Sequence, residues 1–233
     1  MGKEFEIVRE GALPVDQVAV FDGFVDGTAG WLWPMEYEHR EGGAAAFGGT
    51  VTVWDPPHRL VSRMDGPDGW FNQLEHVVEE APGGGSTWRY VHSGIFVDDW
   101  EQQYDGASQH TDFYLHTFGQ FMLYFRGRPV TYVTVDAPAD AGFAPVRAAL
   151  GTAATPQGGP VDLRLPHVGR VQGVLDYRHP NFVGIRTGDA LIRCFGRSAF
   201  GGVDAVAVHH FGGADPAALE KAWRDWLTEV TGT

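Results

Sequence analysis

The chain has 233 residues, 43% of them hydrophobic, and a formal net charge of −13. That is room for one large domain or two small ones with packed cores, and the acidic balance argues against nucleic acid and anionic membrane surfaces, which select a basic face. A single cysteine, Cys194, excludes an internal disulfide and any CxxC metal site.

The opening segment MGKEFEIVREG has no apolar run of the kind a signal peptide needs, and no stretch reaches the length of a membrane span, so a cytoplasmic location is expected. Glu4 to Arg9 alternates as a strand should, and Gly11 is expected to turn it. Pro14 then suits the first position of a short helix with Val15, Val18 and Phe21 on its buried edge. Trp33 to Arg40 alternates most clearly, with Trp33, Met35, Tyr37 and His39 on one face and Glu36, Glu38 and Arg40 on the other. Further strands are expected over Thr50–Trp54, Arg59–Met64, Phe71–Glu80 and Ser86–Ile95, separated by Gly- and Pro-rich turns. The stretch Tyr104–Arg128 reads as one long helix. Leu115, Phe118, Met122 and Phe125 make a continuous apolar stripe along it, Asp105 or Ser108 can cap its start, and Gly127 with Pro129 stops it.

The order of elements up to residue 128 is therefore strand, short helices, several antiparallel strands and a long helix. Such a set closes as a bent sheet with the helix on its concave side. Four features carry a family resemblance: the Pro-started first helix, the strand and turn GTVTVWDPPHRLV, the strand ending WRYVHSGI, and the run YDGASQHTDFYLHTFGQFMLYFRGR. On these the chain resembles the helix-grip superfamily, which includes the START lipid-transfer domains and the birch-pollen allergen. Within it, the chain looks like the branch of the activator of the heat-shock protein ATPase. The resemblance implies an α+β helix-grip fold over residues 1–128 with a cavity between sheet and long helix.

Residues 129–233 read as a shorter, degenerate copy of that unit. VTYVTVDAPADAGFAPVRAALG repeats the opening strand, Pro turn and short helix, and GVLDYRHPNFVGI at 173–185 lines up with GTVTVWDPPHRLV at 49–61. Strands are expected at Leu191–Phe195 and Ala205–His210. Asp215-Pro216 caps a last helix whose Trp223 and Trp226 share one face, either in the core or in the seam of a homodimer.

No nucleophile elbow, Walker loop or dinucleotide fingerprint is present, and nothing calls for a cofactor. Cys194, in LIRCF, reads as a small buried apolar residue. His39, His76 and His92 lie on inward strand positions, where imidazole can act as base or ligand, but their spacings carry no metal signature. The aromatic set says more. Trp31, Trp33, Tyr37, Trp54, Trp88, Tyr90, Phe118 and Met122, with His39 and His92 as polar tips, converge between sheet and helix and suit a small apolar or aromatic ligand. Two alternatives stay open. One is a cyclase- or hydrolase-type enzyme with His39 or His92 as base and Tyr37 or Tyr90 as hydrogen-bond donor. The other is a chaperone-activator-like interaction module, which the branch resemblance implies.

Overall fold

The structure, a computed structural model, describes residues 2–232. Met1 and Thr233, the outermost residues of the two expected domains, lie outside the described residues. The chain divides into two compact units, residues 1–126 and 127–233.

Unit 1 runs β1 (Lys3–Leu13), α1 (Gln17–Val25), β2 (Thr50–Asp55), β3 (Arg59–Asp65), β4 (Phe71–Glu80), β5 (Ser86–Phe96) and α2 (Trp100–Tyr124). Its five strands form one antiparallel sheet in the order β1-β5-β4-β3-β2. The first strand thus returns to pair with the last, and α2 packs across β1 and β5. This is the α+β layout of a sheet gripping a long helix.

Several local expectations are corrected. Gly11 does not turn β1; the strand continues to Leu13, and Gly11 lies opposite Trp88, where a Cβ would come within 2.3 Å of the indole ring. Pro14 precedes α1 instead of opening it. Asp16 is the N-cap, its carboxylate accepting from the Ala19 N–H at 2.9 Å. Phe21 is buried as expected but Val18 is exposed.

Trp33 to Arg40 is not a strand. Its burial alternates as expected through Trp33, Met35 and Tyr37, yet Pro34 has no N–H to give a ladder. The neighbouring backbone is tied elsewhere: Met35 N–H donates to Thr28 Oγ1 at 3.0 Å and Glu38 N–H to the Ala44 carbonyl at 2.9 Å.

The long helix starts four residues before the expected Tyr104, so Asp105 and Ser108 lie inside it and cap nothing. Tertiary contacts fix the extra turn. Trp100 stacks on Tyr104 at 4.8 Å, lies under the Lys3 ammonium, and donates its indole N–H to the Glu4 carbonyl at 3.1 Å. Ser108 and Asp112 instead hold the guanidinium of Arg9 on β1.

Unit 2 runs β6 (Thr131–Asp136), α3 (Ala144–Leu150), β7 (Pro160–Leu165), β8 (Gly169–His179), β9 (Phe182–Thr187), β10 (Ala190–Phe195), β11 (Ala205–His210) and α4 (Pro216–Thr231). Its antiparallel sheet has the order β6-β11-β10-β9-β8-β7, so here too the first strand pairs with the last. Asp215 caps α4 through the Ala218 N–H at 2.8 Å. Trp223, Trp226 and Leu227 are buried in the unit's own core, so neither tryptophan is available for a dimer seam. Within the same unit Arg193 and Asp176 form an ion pair at 2.9 Å with both side chains buried, and Gly184 leaves room for the guanidinium.

Candidate functional site

The apolar stripe of α2 changes size along its length, and that change makes a cavity. Toward the C-terminus it carries Phe118, Phe121, Met122 and Phe125, all buried. These meet α1, where Phe24 stacks on Phe118 at 4.0 Å and Gly23 lets Met122 approach; a Cβ there would stand 2.7 Å from its sulfur. Toward the N-terminus the same face carries Ala107, which is too small to reach the sheet, and Thr111, whose side chain meets it only through a hydrogen bond with Tyr90.

The result is a cavity of about 360 Å³ in unit 1. Its walls are Ala107, His110, Thr111, Tyr114 and Leu115 from α2, Asn72, Leu74 and His76 from β4, and Tyr90 and His92 from β5. Trp31, Leu32, Trp33, Met35 and Phe47 from the long α1–β2 connection close it. Trp33 meets Phe47 edge-on at 5.9 Å and Tyr114 at 5.6 Å. Phe47 is 68% exposed and holds a left-handed backbone with φ of 59°, so it marks the rim where the cavity meets solvent.

The electrostatics of the wall are simple. No Asp, Glu, Lys or Arg lines it. Burial lowers the pKa of both His76 and His92 to about 4, so both are neutral at pH 7. Burial, with Tyr37 nearby, raises the Tyr90 phenol, while a hydrogen bond with Thr111 pulls the other way. Asn72 Nδ2 lies 2.9 Å from His92 Nε2. With the amide as donor, His92 carries its own proton on Nδ1. The edge of Phe5 supports that ring at 4.9 Å. Trp33 Nε1 and His76 Nδ1 have no hydrogen-bond partner, and both atoms are covered by protein rather than open to the cavity.

Of the ten residues singled out from sequence, Trp31, Trp33, Tyr90 and His92 line this cavity and six do not. His39 sits at the surface with half its side chain exposed, its Nε2 3.0 Å from Asp26 and its ring stacked on Trp54 at 4.8 Å. It leaves the inward face because the extended segment that carries it ends there without a ladder to hold it. Trp54 is taken up by His39 and by Phe21, 5.7 Å away. Trp88, Phe118 and Met122 fill the packed end of the core, where α1 fits against α2. Tyr37 borders a separate pocket of about 40 Å³; burial pushes its phenol up to about 12 against a hydrogen bond to Ser62.

The lining residues outside those ten include His76, marked from sequence as an inward position, and Leu115, placed from sequence on the helix stripe. Asn72, Leu74 and His76 alternate along β4, and Ala107, Thr111, Tyr114 and Leu115 recur at helical spacing, so both sets had a periodic signal. Phe47 had none, since its place depends on how the α1–β2 connection folds back. Among the described residues no cluster of three or more His, Cys, Asp or Glu could hold a metal ion, so the histidines of the wall do not form a ligand set. Cys194 is buried in β10, and burial pushes its thiol up to about 12. No helix among the described residues is long and apolar enough to cross a membrane.

No family model matches the chain, and no curated protein matches it. Among solved structures it is similar to an uncharacterised protein of Rhizobium leguminosarum, at 17% identity and a TM-score of 0.42, over 52% of this chain and 96% of that one. It is also similar to DynU16, a protein of the dynemicin biosynthetic locus, at 14% identity and a TM-score of 0.41, over 97% of this chain and 95% of that one. A third likeness is to Ara h 8.0201, at 12% identity and a TM-score of 0.39, over 52% of this chain and 99% of that one. These likenesses are remote, and no residue role is taken from them.

Proposed function

We propose that unit 1 is a binding module that holds a small hydrophobic or aromatic molecule between α2 and strands β4 and β5. The observation that supports this reading is the cavity of about 360 Å³ with ring-bearing walls and no charged residue. An apolar cavity of roughly 150 Å³ accepts one benzene, so this one has room for two or three fused rings. Apolar walls with a few placed polar groups are the usual make-up of a small-molecule site.

The test is fluorescence titration with the neutral probe N-phenyl-1-naphthylamine. Replacing Ala107 by Trp fills the cavity from the helix side and should abolish probe uptake in a folded protein. Uptake equal to that of the parent chain would sink the reading. Phe118 and Met122 do not serve for this test, because they belong to the packed core and their loss would perturb folding itself.

The reading includes no catalytic step. His39 lies outside the cavity, and His92 is held neutral with Nε2 occupied by Asn72. The chaperone-activator role implied by the branch resemblance is set aside, since the site is a small-molecule cavity and not a docking face.

We also read the two units as a tandem repeat. Both wire the first strand to the last across an antiparallel sheet. Both carry a bulge in the strand that opens the meander segment aligned above, between Val51 and Val53 in β2 and between Leu175 and Tyr177 in β8. In the alignment of 49–61 with 173–185 these bulges fall at equivalent positions. Unit 2 then has one extra strand and a shorter closing helix, with Trp223 and Trp226 in its core.

A further inference from the structure

The cavity wall limits its ligand by charge as well as by size. An ionised molecule entering it would leave its water shell and meet no opposite charge, since no Asp, Glu, Lys or Arg lines the site. His76 and His92 supply no positive charge at neutral pH, because burial holds both neutral. His110, the third histidine of the wall, bonds through Nδ1 to the Gly106 carbonyl at 2.7 Å.

One polar pair interrupts this wall. The bond from Asn72 Nδ2 to His92 Nε2 leaves the Asn72 carbonyl oxygen as an acceptor and His92 Nδ1–H as a donor. Among the described residues neither of these atoms has a protein hydrogen-bond partner, and neither is sealed off in the way that Trp33 Nε1 and His76 Nδ1 are. The two imidazole nitrogens point to opposite sides of the ring, so with Nε2 taken by the amide His92 Nδ1–H is aimed away from Asn72, and the Asn72 carbonyl oxygen is the group beside this bond that can accept from a hydroxyl. Rings stand nearby on the same wall, with Trp33 and Tyr114 edge-to-face at 5.6 Å.

Resting on the binding reading above, we propose that the cavity takes an uncharged fused-ring aromatic molecule bearing a hydroxyl, and that the hydroxyl donates to the Asn72 carbonyl oxygen, with His92 holding the amide in place. Carboxylated lipids and aromatic acids are excluded by the same wall.

The test uses the full chain at pH 7.5 with bound N-phenyl-1-naphthylamine as the reporter. The competitors are 2-naphthol, naphthalene and 2-naphthoate, which share one ring system and differ in the polar group. The expected order is 2-naphthol ahead of naphthalene by roughly two- to tenfold, the range of one neutral hydrogen bond, with 2-naphthoate failing to compete. Asn72→Leu should bring 2-naphthol to the level of naphthalene while leaving naphthalene within about twofold of its value in the parent chain, a control that the cavity is intact. Competition by 2-naphthoate equal to that of 2-naphthol would overturn the proposal and leave the cavity reading standing. So would a 2-naphthol preference that is absent in the parent chain, or one that survives Asn72→Leu. Failure of the probe itself to bind would overturn the cavity reading, and this proposal with it.

Discussion

His76 should make unit 1 lose stability as the pH falls below neutral, and replacing it should remove a defined part of that loss. The side chain is buried against Phe24 at 4.7 Å and Tyr90 at 5.3 Å, and its Nδ1 has no partner. Burial depresses its pKa in the folded chain to about 4, from 6.5 when exposed. The sign follows from which state takes the proton. Above pH 6.5 both states are neutral and nothing is lost. Below it the unfolded chain protonates while the folded chain does not, so stability falls steadily until the folded value is reached. At pH 5.0 the difference between the two states amounts to about 2 kcal/mol. His92, with the same depressed value, adds a loss of similar size. His76→Phe keeps a flat ring between Phe24 and Tyr90 and cannot titrate. The assay is urea unfolding followed by tryptophan fluorescence at pH 7.5 and 5.0. Trp31, Trp33, Trp54, Trp70, Trp88 and Trp100 all lie in unit 1, so the signal reports mainly that unit. The variant should lose about 2 kcal/mol less than the parent chain between the two pH values. An equal loss in both, within about 0.5 kcal/mol, would refute the account of a buried neutral imidazole.

Two further outcomes test the packing that frames the cavity and the core of unit 2. Gly23→Ala would place a Cβ 2.7 Å from the Met122 sulfur and 3.0 Å from the Phe118 ring. It should lower the stability of unit 1 by about 1–3 kcal/mol in the same urea assay, and an unchanged midpoint would show that α1 and α2 are not in close contact there. Asp176→Asn leaves the buried Arg193 guanidinium without its counter-charge and should cost unit 2 about 3–5 kcal/mol. Calorimetry would show this as a lowered transition for that unit, and a loss under about 1 kcal/mol would mean that the pair is hydrated.

The elements whose residues carry their own pattern were the ones readable without coordinates. β4, the hairpin to β5, and the long helix of unit 1 were all placed by period and by Gly-Pro punctuation. So was the α4 cap at Asp215. Errors came where a distant contact overrode the local pattern. Trp33–Arg40 alternates like a strand and packs like one, but Pro34 and the bonds to Thr28 and Ala44 leave it outside the sheet. The first turn of α2 exists because Trp100 finds Lys3, Glu4 and Tyr104, two of which lie nearly a hundred residues away. Gly11 looked like a turn and is a strand position kept bare for Trp88.

The candidate site divides the same way. The sequence by itself determined that an aromatic-rich sheet face would meet one apolar helix stripe, and that no formal charge pattern or motif dictated a reaction there. Period and composition suffice for that, because they follow from which face of each element must leave water. Only the tertiary structure decided which part of that interface is filled and which is open. Phe118 and Met122 became core because α1, brought close by Gly23, fits against their end of the helix. Ala107 and Thr111 became cavity wall because no bulky side chain fills the space beside them, and Phe47 reached the rim through the course of a loop. Open volume is a sum over side chains from several elements at once, so no single stretch of sequence contains it.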